Sequence, residues 1–285
     1  MLETTRTRAL SEPAAVVAAL WVQEWLGGRA AADDLLDVLT RIAPDTPAVL
    51  HDHGESLPAQ ALLHRLRTAQ VTYAWPVLPR PGRTVGWPAL VPDPSPAVLV
   101  VGPATSTDLR PLEARLLLRV GSGGWLLDHL RPTTGSGQGT AVQGTDGHGP
   151  AAEPDPTPDL VTLLTADALG HRAATRRFTG LLDDAATDLG RLGLDRPATN
   201  GAPTRWTATL QDLPRTADGS LVTLLQRSAV VLDALDQALR DDGAAVTAGE
   251  ARARSARVHR LRGELCDLVC AATVGVAVAS PSLRP

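Results

Sequence analysis

The stretch Pro132–Pro158, PTTGSGQGTAVQGTDGHGPAAEPDPTP, decides how the rest of the chain is read. It holds six glycines and five prolines, and Val142 is its only larger apolar residue. Such a composition cannot bury enough apolar surface to offset its conformational entropy. The reading is a flexible linker, and as a coil it spans about 30 Å root-mean-square. The flanks differ in kind. Before it come short apolar runs with strand character, and after it come long stretches with helical spacing. We therefore expect an α+β domain over residues 1–131, the linker over 132–158, and an all-α helical bundle over 159–285.

The N-terminal part reads as three helices on a small mixed sheet. Ser11 is placed to cap an amphipathic helix carrying Val16, Val17, Leu20, Trp21 and Trp25, and Gly27-Gly28 closes it. Leu35, Leu36, Leu39 and Ile42 repeat at helical spacing in a second helix. Ala48–Leu50 is a short apolar run that ends in His-Asp-His-Gly. Ser56 is expected to open a third helix reaching Arg67, with Leu62, Leu63 and Leu66 inward. Strands follow. Val71–Leu78 alternates, Ala97–Val101 is continuously apolar, and Leu116–Val120 and Trp125–Leu127 flank a Gly-Ser-Gly-Gly turn.

Beyond the linker, Leu160–Leu194 is helix-like with expected breaks at Gly170 and Gly180. Gly201–Gly219 reads as a polar connection containing Trp206. Ser220–Arg240 carries a leucine and valine stripe, and Thr247-Ala248-Gly249-Glu250 is a capping box for a last long helix. Short connections between such stripes predict an antiparallel bundle.

Composition excludes several chemistries. All 27 basic Lys/Arg-type side chains are arginine. With no lysine there is no phosphate loop ending in GK[ST], no Schiff-base site and no SxxK acyl-transfer site. A formal net charge of −4 gives no electrostatic reason to expect nucleic acid or anionic lipid. Cys266 and Cys270 lie one helical turn apart, a poor geometry for a disulfide, and are read as reduced thiols of a cytoplasmic protein. No apolar run reaches the roughly 20 residues of a membrane-spanning helix. No cofactor is expected.

Three places remain as candidate sites. His51-Asp52-His53 on an extended strand would turn both imidazoles to one side, where they could hold a metal with Glu55, His64 or His129 as a third ligand. Trp75–Pro96 holds seven prolines with Trp75, Arg80, Arg83 and Trp87, residue types favoured as anchors for a protein partner. Arg252, Arg254, Arg257, Arg260 and Arg262 crowd the first half of the last helix, with His259 among them. The leading expectation is a non-catalytic protein-interaction module that binds another protein or a second copy of itself. The alternatives are a metal-dependent hydrolase using the His51/His53 pair and a nucleic-acid-binding regulator using the arginine face.

Two segments, Leu78–Arg83 (LPRPGR) and Ala229–Arg254 around DDGAAVTAGEA, resemble a family of uncharacterised actinobacterial proteins with an LPxPGD-like loop and a helical tail. Arg83 stands where that pattern has an aspartate. The resemblance implies structure and carries no activity, cofactor or catalytic residue.

Overall fold

The computed structural model describes residues 10–52, 54–71, 73–78, 95–101, 115–121, 124–129, 169–191, 205–240 and 248–279. The linker, His53 and residues 79–94 lie outside them, and so therefore do Arg80, Arg83 and Trp87.

The chain is α+β, with a mixed six-stranded sheet and C-terminal helices. Helices α1 (Glu12–Leu26) and α2 (Ala32–Ile42) lead into strands β1 (Val49–Asp52) and β2 (Glu55–Pro58) and helix α3 (Ala61–Thr68). Strands β3 (Tyr73–Val77), β4 (Ala97–Val101), β5 (Arg115–Gly121) and β6 (Gly124–His129) follow. Helices α4 (His171–Arg191), α5 (Arg205–Thr209), α6 (Gly219–Arg240) and α7 (Ala248–Ala279) complete the described elements, with a 3-10 turn Leu210–Asp212 after α5.

The strand order is β2-β1-β6-β5-β4-β3, antiparallel throughout except for the parallel pair β1–β6. Strand β4 is buried along its whole length. Val98 and Val100 enter one core with α1, α2 and α3. Ala97, Leu99 and Val101 enter another with Trp75, Leu117 and Val274 of α7. Continuous burial on both faces is what the unbroken run AVLVV requires.

Helix α1 is the centre of the molecule. Thirteen of its fifteen residues are buried. Ala14, Ala15, Ala18, Ala19 and Val22 face the sheet core. Val16, Val17 and Leu20 belong to a second core built by α4, α6 and α7. The expected amphipathic helix is instead apolar on all sides along this stretch, as a helix covered on all sides must be. Ser11 caps it through a 3.3 Å bond from the Ala14 N–H, and Gly28 leaves it at φ +70°. Its Gln23 amide donates to the Ala74 carbonyl on β3, so a side chain satisfies one carbonyl of an edge strand.

Three other expectations are corrected. Residues 55–58 are strand and the third helix begins at Ala61, because Leu57 precedes Pro58 and a residue before proline is held extended. Helix α4 runs through Gly180 without a break. The polar connection contains α5, whose Trp206 is fully buried. Both Trp206 N and Thr207 N donate to the Asp233 carboxylate at 2.9 Å. A remote aspartate on α6 thus takes the place of a local cap.

The chain just before α4 crosses α7 at close range. Leu169 N donates to the Ala271 carbonyl at 3.1 Å, and a methyl group at Gly275 would overlap the Leu169 carbonyl oxygen. Gly275→Ala should lower stability by about 1–3 kcal/mol despite its better helix propensity. Gly180→Ala, where a methyl meets nothing, should raise it by roughly 0.5–1 kcal/mol. Paired thermal melts check the opposite signs. A Gly275→Ala protein as stable as the parent would show that Leu169 is not held there.

Candidate functional site

Strand β1 alternates between the two sheet faces. Leu50 and Asp52 point to the α1 side and are buried, while His51 points to the other side and is half-buried. Across the hairpin Ser56 pairs with His51, and the Ser56 hydroxyl lies 3.1 Å from His51 Nδ1. That bond steers one ring nitrogen of His51 toward a hydroxyl. Asp52 meets Arg65 of α3, with Nε 2.6 Å from its carboxylate, and Glu55 reaches the same guanidinium at 3.5 Å.

Among the described residues, His51 and His64 therefore lie on opposite sides of the sheet. Of the expected third ligands, Glu55 turns to Arg65, and His64 stands exposed on α3, the helix that covers the Leu50 side. His53 lies outside the described residues. Among the described residues, no group of three or more His, Cys, Asp or Glu side chains is placed to hold a metal.

Trp75 is 2% exposed and packs with Leu99, Leu117 and Val274. Its ring stacks on Tyr73 with centroids 5.8 Å apart. It serves as core between β3 and α7, and the surface anchor that the Trp-Pro pattern suggested is absent at this position. On α7, Arg252, His259 and Arg260 are exposed, but Arg262 turns inward. It binds Asp236 of α6 (Nε to Oδ1, 2.6 Å) and Glu12 of α1 through both terminal nitrogens. Burial would lower the pKa of this guanidinium, but hydrogen bonds to Glu12 and Asp236 outweigh that and hold it above its ordinary value. Nothing in the sequence linked Glu12 to a residue 250 positions away.

A second buried acid closes the other end of α1. Glu24 accepts from Arg29 Nε at 2.7 Å and from Nη2 at 2.9 Å. Burial raises its pKa, yet hydrogen bonds from Arg29 and Thr216 bring it below the ordinary carboxylate value of 4.5. Because the folded value is the lower one, this stabilisation is present above pH 4.5 and is lost as pH falls through the folded value. Glu24→Gln should flatten that part of the acid limb in a stability–pH series. An unchanged limb would remove Glu24 from the account.

The described surface also has a cavity of about 160 Å³ between α2, β1 and the start of α3. Leu36, Leu39, Leu50, Leu62 and Trp125 give it apolar walls, and Asp37 and Gln60 are among its polar lining residues. No local pattern points to it, because its walls come from four separate elements.

The fold and this site define a mixed α+β protein with a buried central helix and a small, open apolar cavity. Residues 15–110, about a third of the chain, match the family model described as "Rv1486c-like protein, N-terminal domain". The matched region reaches from α1 past β4. It contains β1 and β4 but not β5 and β6, which join them in the sheet. Neither the curated proteins nor the solved structures contain a match to this chain. Among the described residues no helix is long and apolar enough to cross a membrane.

Proposed function

We propose that this protein is a cytoplasmic, non-catalytic interaction module that binds another protein or a second copy of itself. The observation that carries this reading is the use made of the buried acids. Four carboxylates are buried among the described residues: Glu12, Glu24, Asp52 and Asp233. Glu12, Glu24 and Asp52 each pair with an arginine, and Asp233 caps the N-terminus of α5. Buried acids occur both at active sites and in structural ion-pair networks. Here burial of each acid is tied to holding two parts of the fold together.

Two finer features belong to the same reading. The LPRPGR segment and the Trp87 loop serve as partner contacts, and α4, α6 and α7 act as a helical bundle closed by α1. The test is a native mass spectrum of the untagged protein purified without chelators. A mass for a stoichiometric complex, with a second polypeptide or with itself, is the expected result. One bound transition metal, with a hydrolytic activity lost in the His51→Ala/His53→Ala double variant, would replace this reading with the metal-hydrolase one.

A further inference from the structure

The cavity beside α2 combines a small volume, leucine walls and a single charged lining residue. Its volume of about 160 Å³ is ring-sized. An apolar cavity of roughly 150 Å³ in another protein holds benzene. Leu36, Leu39, Leu50 and Leu62 line it, and Trp125 adds an aromatic surface. Trp125 is itself buried, so it is a fixed part of the site.

The polar groups are few and unequal. The Thr40 hydroxyl is engaged, since it donates to the Leu36 carbonyl at 3.0 Å. Gln60 and Thr46 are neutral. Asp37 is the one charged residue lining the cavity. Its neighbours on α2, Asp33 and Asp34, lie in the first helical turn, where the helix dipole accounts for them. Asp37 lies beyond that turn, and no cation among the described residues pairs with it. An open cavity with leucine walls and one exposed carboxylate among its lining residues suits a ligand with an apolar body and one positive charge.

We propose that this cavity binds a small organic ammonium ion, in which a single ring or a branched alkyl group carries one primary amine. The apolar part fills the leucine-walled space against Trp125, and the ammonium meets the Asp37 carboxylate. This goes beyond the interaction reading, and a protein partner elsewhere on the surface is compatible with it.

Phenethylammonium is the probe. The full chain is titrated with it while the indole N–H resonance of Trp125 is followed, assigned through Trp125→Phe. A saturable shift is expected. Asp37→Asn should weaken binding about threefold, as exposed ion pairs allow. Phenethyl alcohol, of the same shape without charge, should bind correspondingly less well. Ala48→Phe, which places a ring into the lining, should abolish the shift while circular dichroism shows the fold retained. Should that variant misfold, Asp37→Asn and the alcohol still decide the matter. The proposal is overturned by the absence of a saturable shift, by equal affinity for the alcohol, or by an unchanged shift in folded Ala48→Phe.

Discussion

Replacing Arg262 with methionine is expected to cost about 3–5 kcal/mol, the range for removing one partner of a buried ion pair. The reason is what remains. The Glu12 and Asp236 side chains are 12% and 14% exposed, and both lean on the Arg262 guanidinium. Without it, two carboxylates share an apolar setting and one must take up a proton to stay inside. A loss of that size is a large part of a typical stability of about 5–15 kcal/mol. The exposed Arg252→Met, on the same helix, should change stability by no more than about 0.5 kcal/mol. Adding Glu12→Gln and Asp236→Leu to Arg262→Met should recover much of the loss, because the unpaired charges go with it. Urea denaturation of the parent and the three variants measures this. Equal losses for Arg262→Met and Arg252→Met would show that the triad does not hold α1 to α6 and α7.

The amphipathic expectation for α1 fails for a related reason. Pro13 to Val22 is apolar at every position except Trp21's indole nitrogen, so the stretch has no polar face. That pattern belongs to a helix covered on all sides, and part of the cover comes from α4, α6 and α7, far along the chain. Local signals are legible wherever the physics is local. The Ser11 cap, the Gly28 exit, the AVLVV strand and the long stripes of α6 and α7 all lie where their residues point. Expectations fail where non-local terms decide. Ser56 resembles a helix cap because hydroxyls favour that role, but pairing with β1 and the proline after Leu57 decide for strand. Trp206 looks like part of a polar loop because Asp233, which satisfies its backbone, is on another helix. The candidate site is legible only in part. The alternation of His51 and Asp52 follows from strand periodicity. The cavity does not, since it exists only once α2 and α3 are laid against β1.

The largest effect is expected from cutting the chain. A fragment of residues 1–131 should fail to fold alone. In the intact structure Val16, Val17, Leu20 and Val38 are buried against α4, α6 and α7. Trp75, Leu99, Val101 and Leu117 pack in the core that includes Val274 of α7. Removing the C-terminal helices strips cover from both groups, and each fully buried side chain of this kind contributes about 1.5–3 kcal/mol. Together they approach or exceed the whole stability of an ordinary domain. Glu12 would also lose Arg262, and Glu24 would lose the hydroxyl of Thr216. The fragment should therefore bind a hydrophobic dye and melt without a cooperative transition. The complementary fragment, residues 159–285, lacks the three α1 residues at the centre of its own core and should behave likewise. Mixed together, the two should reassociate into one species with a sharp melt, since the missing surfaces are each other's. A monomeric 1–131 fragment with cooperative unfolding would sink the argument, for it would mean that α1 can be exposed along Val16, Val17 and Leu20 without loss.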